Sequence, residues 1–151
     1  MFSEITELKS LREQKKKIVC RERELAVPFI TDWGMLPRIY GWFREILANR
    51  DFSPPADGIT QRKEFIFIVL YLFAPAVLAG DRMPVGLRDK IAAAINLRDI
   101  TFISHNIDTV VFLHRYDKAF RADIEYIYTE ILKRLTGQRA ADPAYVMDGV
   151  M

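Results

Sequence analysis

The chain has 151 residues, of which 50% are hydrophobic, 12% aromatic and 28% charged, a balance that describes one ordinary globular domain and excludes a disordered chain. Its 22 Lys and Arg against 20 Asp and Glu leave a net charge of +2, well short of a surface built throughout for phosphate. The single Cys20 excludes an internal disulfide framework and a cysteine-based zinc cluster within one chain, and it fits a reducing, cytoplasmic compartment.

The opening MFSEITELKS mixes charges without an apolar run, unlike a secretory signal. Residues 3–25 read as a helix, with Ser3 as its N-cap and Glu4 and Glu7 where the helix dipole favours acid. Ile5, Leu8, Leu11, Ile18, Val19 and Leu25 form a narrow apolar stripe among charges, suited to packing along a partner helix or a second copy of the chain. Arg12, Lys15 and Glu22 interrupt the heptad, so a long coiled coil is not expected. Lys15, Lys16 and Lys17, with Lys9, Arg12, Arg21 and Arg23, make a basic stretch diluted by five acids. It reads either as a source of phosphate contacts or as a solvated face of Glu–Lys pairs. Pro28 ends this helix. Residues 1–27 are therefore expected to be a charged arm, 28–137 the globular domain and 138–151 a flexible tail.

After a turn at residues 31–34, residues 36–48 read as a second helix. Pro37 suits its first turn, and Ile39, Tyr40, Trp42, Phe43, Ile46 and Leu47 give it a broad apolar face. The stretch DFSPPADG, residues 51–58, is the clearest loop. Residues 65–80, FIFIVLYLFAPAVLAG, carry no charge, but sixteen residues fall short of the roughly 20 that span a bilayer as a helix. Pro75 interrupts them, and Arg62, Lys63, Glu64, Asp81 and Arg82 crowd the two ends. The expectation is a buried helix, opening near Thr60, breaking at Pro75 or Gly80, packed against Trp42, Phe43, Tyr128 and Ile131, and not a membrane span. Phe, Ile, Val and Tyr also favour a strand at residues 65–73; the helical flanks favour an all-α reading.

Further helices are expected at residues 84–95, starting at Pro84, at 101–114, and at 117–136. In the last, Phe120, Ile124, Ile127, Tyr128, Ile131 and Leu135 recur at three- and four-residue spacing, with Asp117 as N-cap and Gly137 as the stop. The fold class is all-α, a compact bundle of about six helices around a central apolar one.

Residues 87–110, LRDKIAAAINLRDITFISHNIDTV, hold the most informative local pattern. Ala92 and Ala93 are small residues where a second helix can cross closely. Asn96 is the residue type, after Gly, that best tolerates a left-handed turn. Leu97 can anchor that turn, and Ile100, Ile103, Ile107 and Val110 share one helical face. At 100° per residue the opposite face carries Thr101, Ser104, His105, Asp108 and Thr109, with Asn106 to one side. This order resembles a helix-turn-helix DNA-binding unit, similar to small regulators of phages and mobile elements. The turn differs in having Asn96 for the usual glycine and one extra residue before Ile103. The resemblance implies a homodimer or higher homo-oligomer on double-stranded DNA. Thr101, Ser104, His105 and Asn106 would then face the groove, and Arg98 a passing phosphate. The alternative reading is a helical hairpin in a phage assembly or packaging component that works through protein contacts. Charge bears on the choice: residues 81–118 hold six basic and five acidic side chains, and Asp108 would repel phosphates.

Enzymatic signals are absent from the sequence. His105 and His114 are nine residues apart, without metal-ligand spacing. No phosphate-cradling glycine loop or nucleophile motif occurs. No catalytic residue, metal or cofactor is expected.

Overall fold

The computed structural model describes residues 1–50 and 56–141, with side chains through residue 137. Among them are seven α-helices and one 3-10 turn, and no strand. The helices are α1 (Ser3–Leu25), α2 (Leu36–Ala48), α3 (Ile59–Phe73), α4 (Pro75–Leu78), α5 (Leu87–Ala94), α6 (Thr101–Tyr116) and α7 (Lys118–Ala141), with the 3-10 turn Trp33–Met35 leading into α2.

Helix α3 occupies the centre because it is apolar on every side and has to be surrounded. Phe65, Ile66, Ile68, Val69, Leu70 and Leu72 are fully buried, enclosed by α2, α6 and α7. The rings of Phe43 and Phe65 lie 5.2 Å apart, and Tyr128 meets Tyr71 edge-on at 5.2 Å. Residues 65–73 are thus helical, which overturns the strand alternative. No described helix is long and apolar enough to cross a membrane.

The run is interrupted at each of the two alternative positions. Pro75 has no N–H to continue the ladder, so α3 stops at Phe73 and α4 makes a single turn before Gly80, at φ +104°, closes it. The Leu72 carbonyl instead accepts the N–H groups of Phe29 and Ile30 at 2.9 and 3.0 Å. The chain just after α1 is thereby fastened to the end of the central helix, with Ile30 buried. Helix α1 itself buries no residue; Ile5, Leu8, Leu11, Ile18 and Leu25 are each more than half exposed.

Several boundaries differ from the sequence expectation. Ser3 lies inside α1 and makes no cap. Pro84 precedes α5 by a turn: Leu87 N–H bonds the Pro84 carbonyl at 3.1 Å, and Gly86 takes φ +91°, so the helix begins at Leu87. Gly137 does not stop α7, which continues to Ala141. A glycine inside a helix costs only about 1 kcal/mol relative to Ala, and the buried Ile131 and Leu135 hold the preceding turns. Asp117 does cap α7, its Oδ1 accepting the Phe120 N–H at 3.1 Å. The first five residues of the proline-rich loop, 51–55, and the tail beyond residue 141 lie outside the described residues.

Candidate functional site

Helices α5 and α6 meet through the linker 95–100, and the local chemistry of that linker fixes their arrangement. Asn96 is the only non-glycine residue with positive φ among those described, at +54°. Leu97 N–H then bonds back to the Ala92 carbonyl at 2.8 Å, which satisfies a carbonyl at the end of α5. Ala92 is buried, while Ala93 is exposed, so the close approach uses one alanine and not two. On the inner side Ile103 and Val110 are fully buried, and Leu97, Ile100 and Ile107 pack against the core.

The left-handed residue yields a direct stability test. Asn96→Ala is expected to destabilise the domain by roughly 1 kcal/mol, because a Cβ-bearing residue without a short polar side chain pays for left-handed backbone. Asn96→Gly is expected to stay within about 0.5 kcal/mol of the natural protein. Urea unfolding of both variants checks this, and equal stability of the Ala and Gly variants would remove the role assigned to the turn.

The opposite face of α6 is open. Thr101, Ser104, His105 and Asp108 are exposed, as is Arg98 in the linker. Thr109 is half-buried. Asn106 is also half-buried, and its side-chain Nδ2 donates to the Phe102 carbonyl at 2.7 Å. Four of the five residues expected to meet DNA therefore share the exposed surface, and Asn106 is tied to its own helix. Arg88 on α5 joins the group, its Nη1 donating to Ser104 Oγ at 2.7 Å. The sequence offered no signal for this hydrogen bond, which spans sixteen positions and forms only when the helices cross.

The electrostatics of the face are mixed. Asp99 Oδ1 accepts the Thr101 N–H at 3.0 Å and also the Thr101 hydroxyl. Those two hydrogen bonds, with a smaller contribution from His105, hold the Asp99 carboxyl below its usual range. One N–H at the start of α6 is thus satisfied by the chain's own carboxylate. The cations beside this face are Arg88, bonded to Ser104, and Arg98 in the linker, both exposed.

No family model, curated protein or solved structure matches this chain.

Two other features are built from parts that sequence reasoning passed over. Between α3, α6 and α7 an apolar cavity of about 240 Å³ is walled by Phe67, Tyr71, His114 and Tyr128. His114 stacks on Phe67 at 4.5 Å. At the start of α3, Glu64 is 1% exposed and its Oε2 has no partner. Burial, then the charge of Asp123 and a hydrogen bond with it, push the Glu64 carboxyl up to about 8, against the opposing pull of Arg50. Arg50 bonds Asp123 at 3.3 Å and lies 4.8 Å over the Tyr126 ring. Among the described residues, no three His, Cys, Asp or Glu side chains are grouped to hold a metal ion.

Proposed function

We propose that this chain is a small non-enzymatic DNA-binding protein of the helix-turn-helix type, a regulator whose α6 enters the major groove of double-stranded DNA. The observation that carries the reading is the α5–α6 pair. A left-handed Asn96 joins the helices, one face of α6 is buried through Ile103 and Val110, and the opposite face is exposed from its first turn. Such a pair meets the geometric needs of groove docking, because short polar side chains at the start of the second helix can reach base edges. Ser104 and His105 are assigned to bases. Thr101, bonded to Asp99, sits at the groove entrance, and Arg98 and Arg88 are assigned to phosphates. Asn106 steadies its own helix beside this face. Two half-sites require two copies, so the active form is a homodimer, acting in the cytoplasm.

Fluorescence anisotropy with a labelled pool of duplexes, at about 50 mM salt where electrostatic association is strong, tests the reading. Replacing Ser104 and His105 with Ala is expected to weaken binding to a selected sequence by roughly 1–3 kcal/mol for each base interaction removed. Arg98→Ala is expected to weaken binding to every sequence and to flatten its salt dependence. Absence of any duplex binding at this salt ends the reading.

A second reading is favoured by α1. Its Leu11, Ile18 and Leu25 stand seven residues apart and are 54%, 58% and 62% exposed, which suits a phage assembly or packaging component held by helix–helix contacts. Light scattering separates the two: a dimer agrees with the regulator, and a ring of many copies with the assembly component.

A further inference from the structure

We propose that the cavity between α2, the start of α3 and the end of α5 binds a small anion of the phosphate or phosphomonoester class. The cavity holds about 580 Å³ and is lined by Tyr40, Arg44, Asp57, Arg62, Ile95 and Asn96, among others. Two guanidinium groups and one carboxylate leave its wall net positive. Among the described residues, neither Arg44 nor Arg62 forms an ion pair, whereas Arg21, Arg50 and Arg134 each do. Arg62 Nε is closed off from solvent and has no acceptor. A guanidinium partly withdrawn from water and without an ion pair is costly until an anion pairs with it.

The aromatic core sets one part of the cavity wall. The Tyr40 ring is set edge-on to Phe65 at 5.0 Å and lies 6.2 Å from Phe43, so its hydroxyl is placed by the core. That hydroxyl shares the cavity wall with Arg44, Asp57 and Arg62. Arginine forks match the oxygens of a phosphate. Asp57 repels a second charged centre but accepts from a hydroxyl, so a phosphomonoester bearing hydroxyl groups fits better than a polyphosphate. Asn96, the left-handed residue of the α5–α6 turn, forms part of the wall, so occupancy braces that turn. The inference does not depend on α6 touching DNA.

The test titrates the full chain with inorganic phosphate, and separately with glycerol 3-phosphate, against chloride at matched ionic strength, and follows the melting temperature. A saturable rise with both phosphates is expected, since a ligand of the folded state stabilises by mass action. In an Arg44→Gln/Arg62→Gln double variant, shown to be folded by circular dichroism, the affinity is expected to fall at least about tenfold. Arg38→Gln, an exposed cation elsewhere on α2, is expected to bind as the natural chain does. A rise that chloride reproduces, or one the double variant retains, overturns the proposal. A short duplex serves as the other source of phosphate. If it competes with glycerol 3-phosphate and its binding needs Arg44 and Arg62, the cavity is a backbone contact and the small-anion site is refuted. Duplex that leaves glycerol 3-phosphate affinity unchanged supports it.

Discussion

Leu70→Asp unfolds the domain. Leu70 is fully buried at the middle of α3, where the helix is covered by α2, α6 and α7. The substitution removes a buried leucine, worth about 2–5 kcal/mol, and places a carboxyl where no partner awaits it, at a further cost of several kcal/mol. The sum is comparable to the entire stability of a typical domain, about 5–15 kcal/mol. Tyr71→Asp, which places the same carboxyl one position along the same helix but at a half-exposed site, is expected to leave the fold intact, which separates burial of the charge from the presence of an aspartate in the helix. Circular dichroism and urea unfolding of the two variants measure the contrast. A folded Leu70→Asp protein would show that α3 is not the core.

The second large effect is a pH dependence carried by Glu64. Its carboxyl is raised from 4.5 to about 8 in the fold, so between those values the native state holds a proton that the unfolded chain has released. The stabilisation is fully present below about pH 4.5, falls as pH rises through the window, and is lost once pH passes about 8. Burial of the carboxyl is the largest cause of the sign, and the groups facing it add to it. Ionising it would set a second negative charge beside Asp123, and Arg50, already bonded to Asp123, offsets only part of that. Glu64→Gln keeps an amide donor toward Asp123 and cannot ionise. The variant is expected to match the natural chain near pH 4.5 and to exceed it by a few kcal/mol near pH 8.5. Asp99, lowered in the fold, acts with the opposite sign and in acid, outside this window. Urea unfolding of both proteins across the range checks the account, and a constant difference between them at all pH values would refute it.

The boundaries of α1 and α2 were legible because Pro28 and Pro37 punctuate them and because the apolar face of α2 has helical period. The centre of α3 was legible for a different reason: an apolar run too short for a bilayer has few places to go except inside. The same reasoning misplaced Glu64. Charges flanking an apolar run are expected in water, and only the packing of α2 and α7 over the first turns of α3 takes this one out of solvent. Pro84 and Gly137 misled for a local reason. Each is a residue type that favours a boundary without requiring one, and the left-handed Gly86 and the packed Ile131 and Leu135 decided the outcome.

At the α5–α6 unit the turn residue and the buried face of α6 could be read from residue type and period. Interactions across the crossing could not. Arg88 meets Ser104 only because two helices cross, and the cavity of Arg44 and Arg62 draws on three elements far apart in sequence. The absence of Asn106 from the open face is subtler: 100° per residue placed it at the edge, and its hydrogen bond to Phe102 settles its direction.

The most direct measurement of the central claim is a map of backbone amide shifts on adding a selected duplex to the full chain in low salt. The account predicts that the perturbed amides gather at Arg88, Arg98, Thr101, Ser104 and His105, on the exposed side of α5 and α6. Shifts confined to α1, or to the wall formed by Arg44 and Arg62, or no shifts at all, would contradict it.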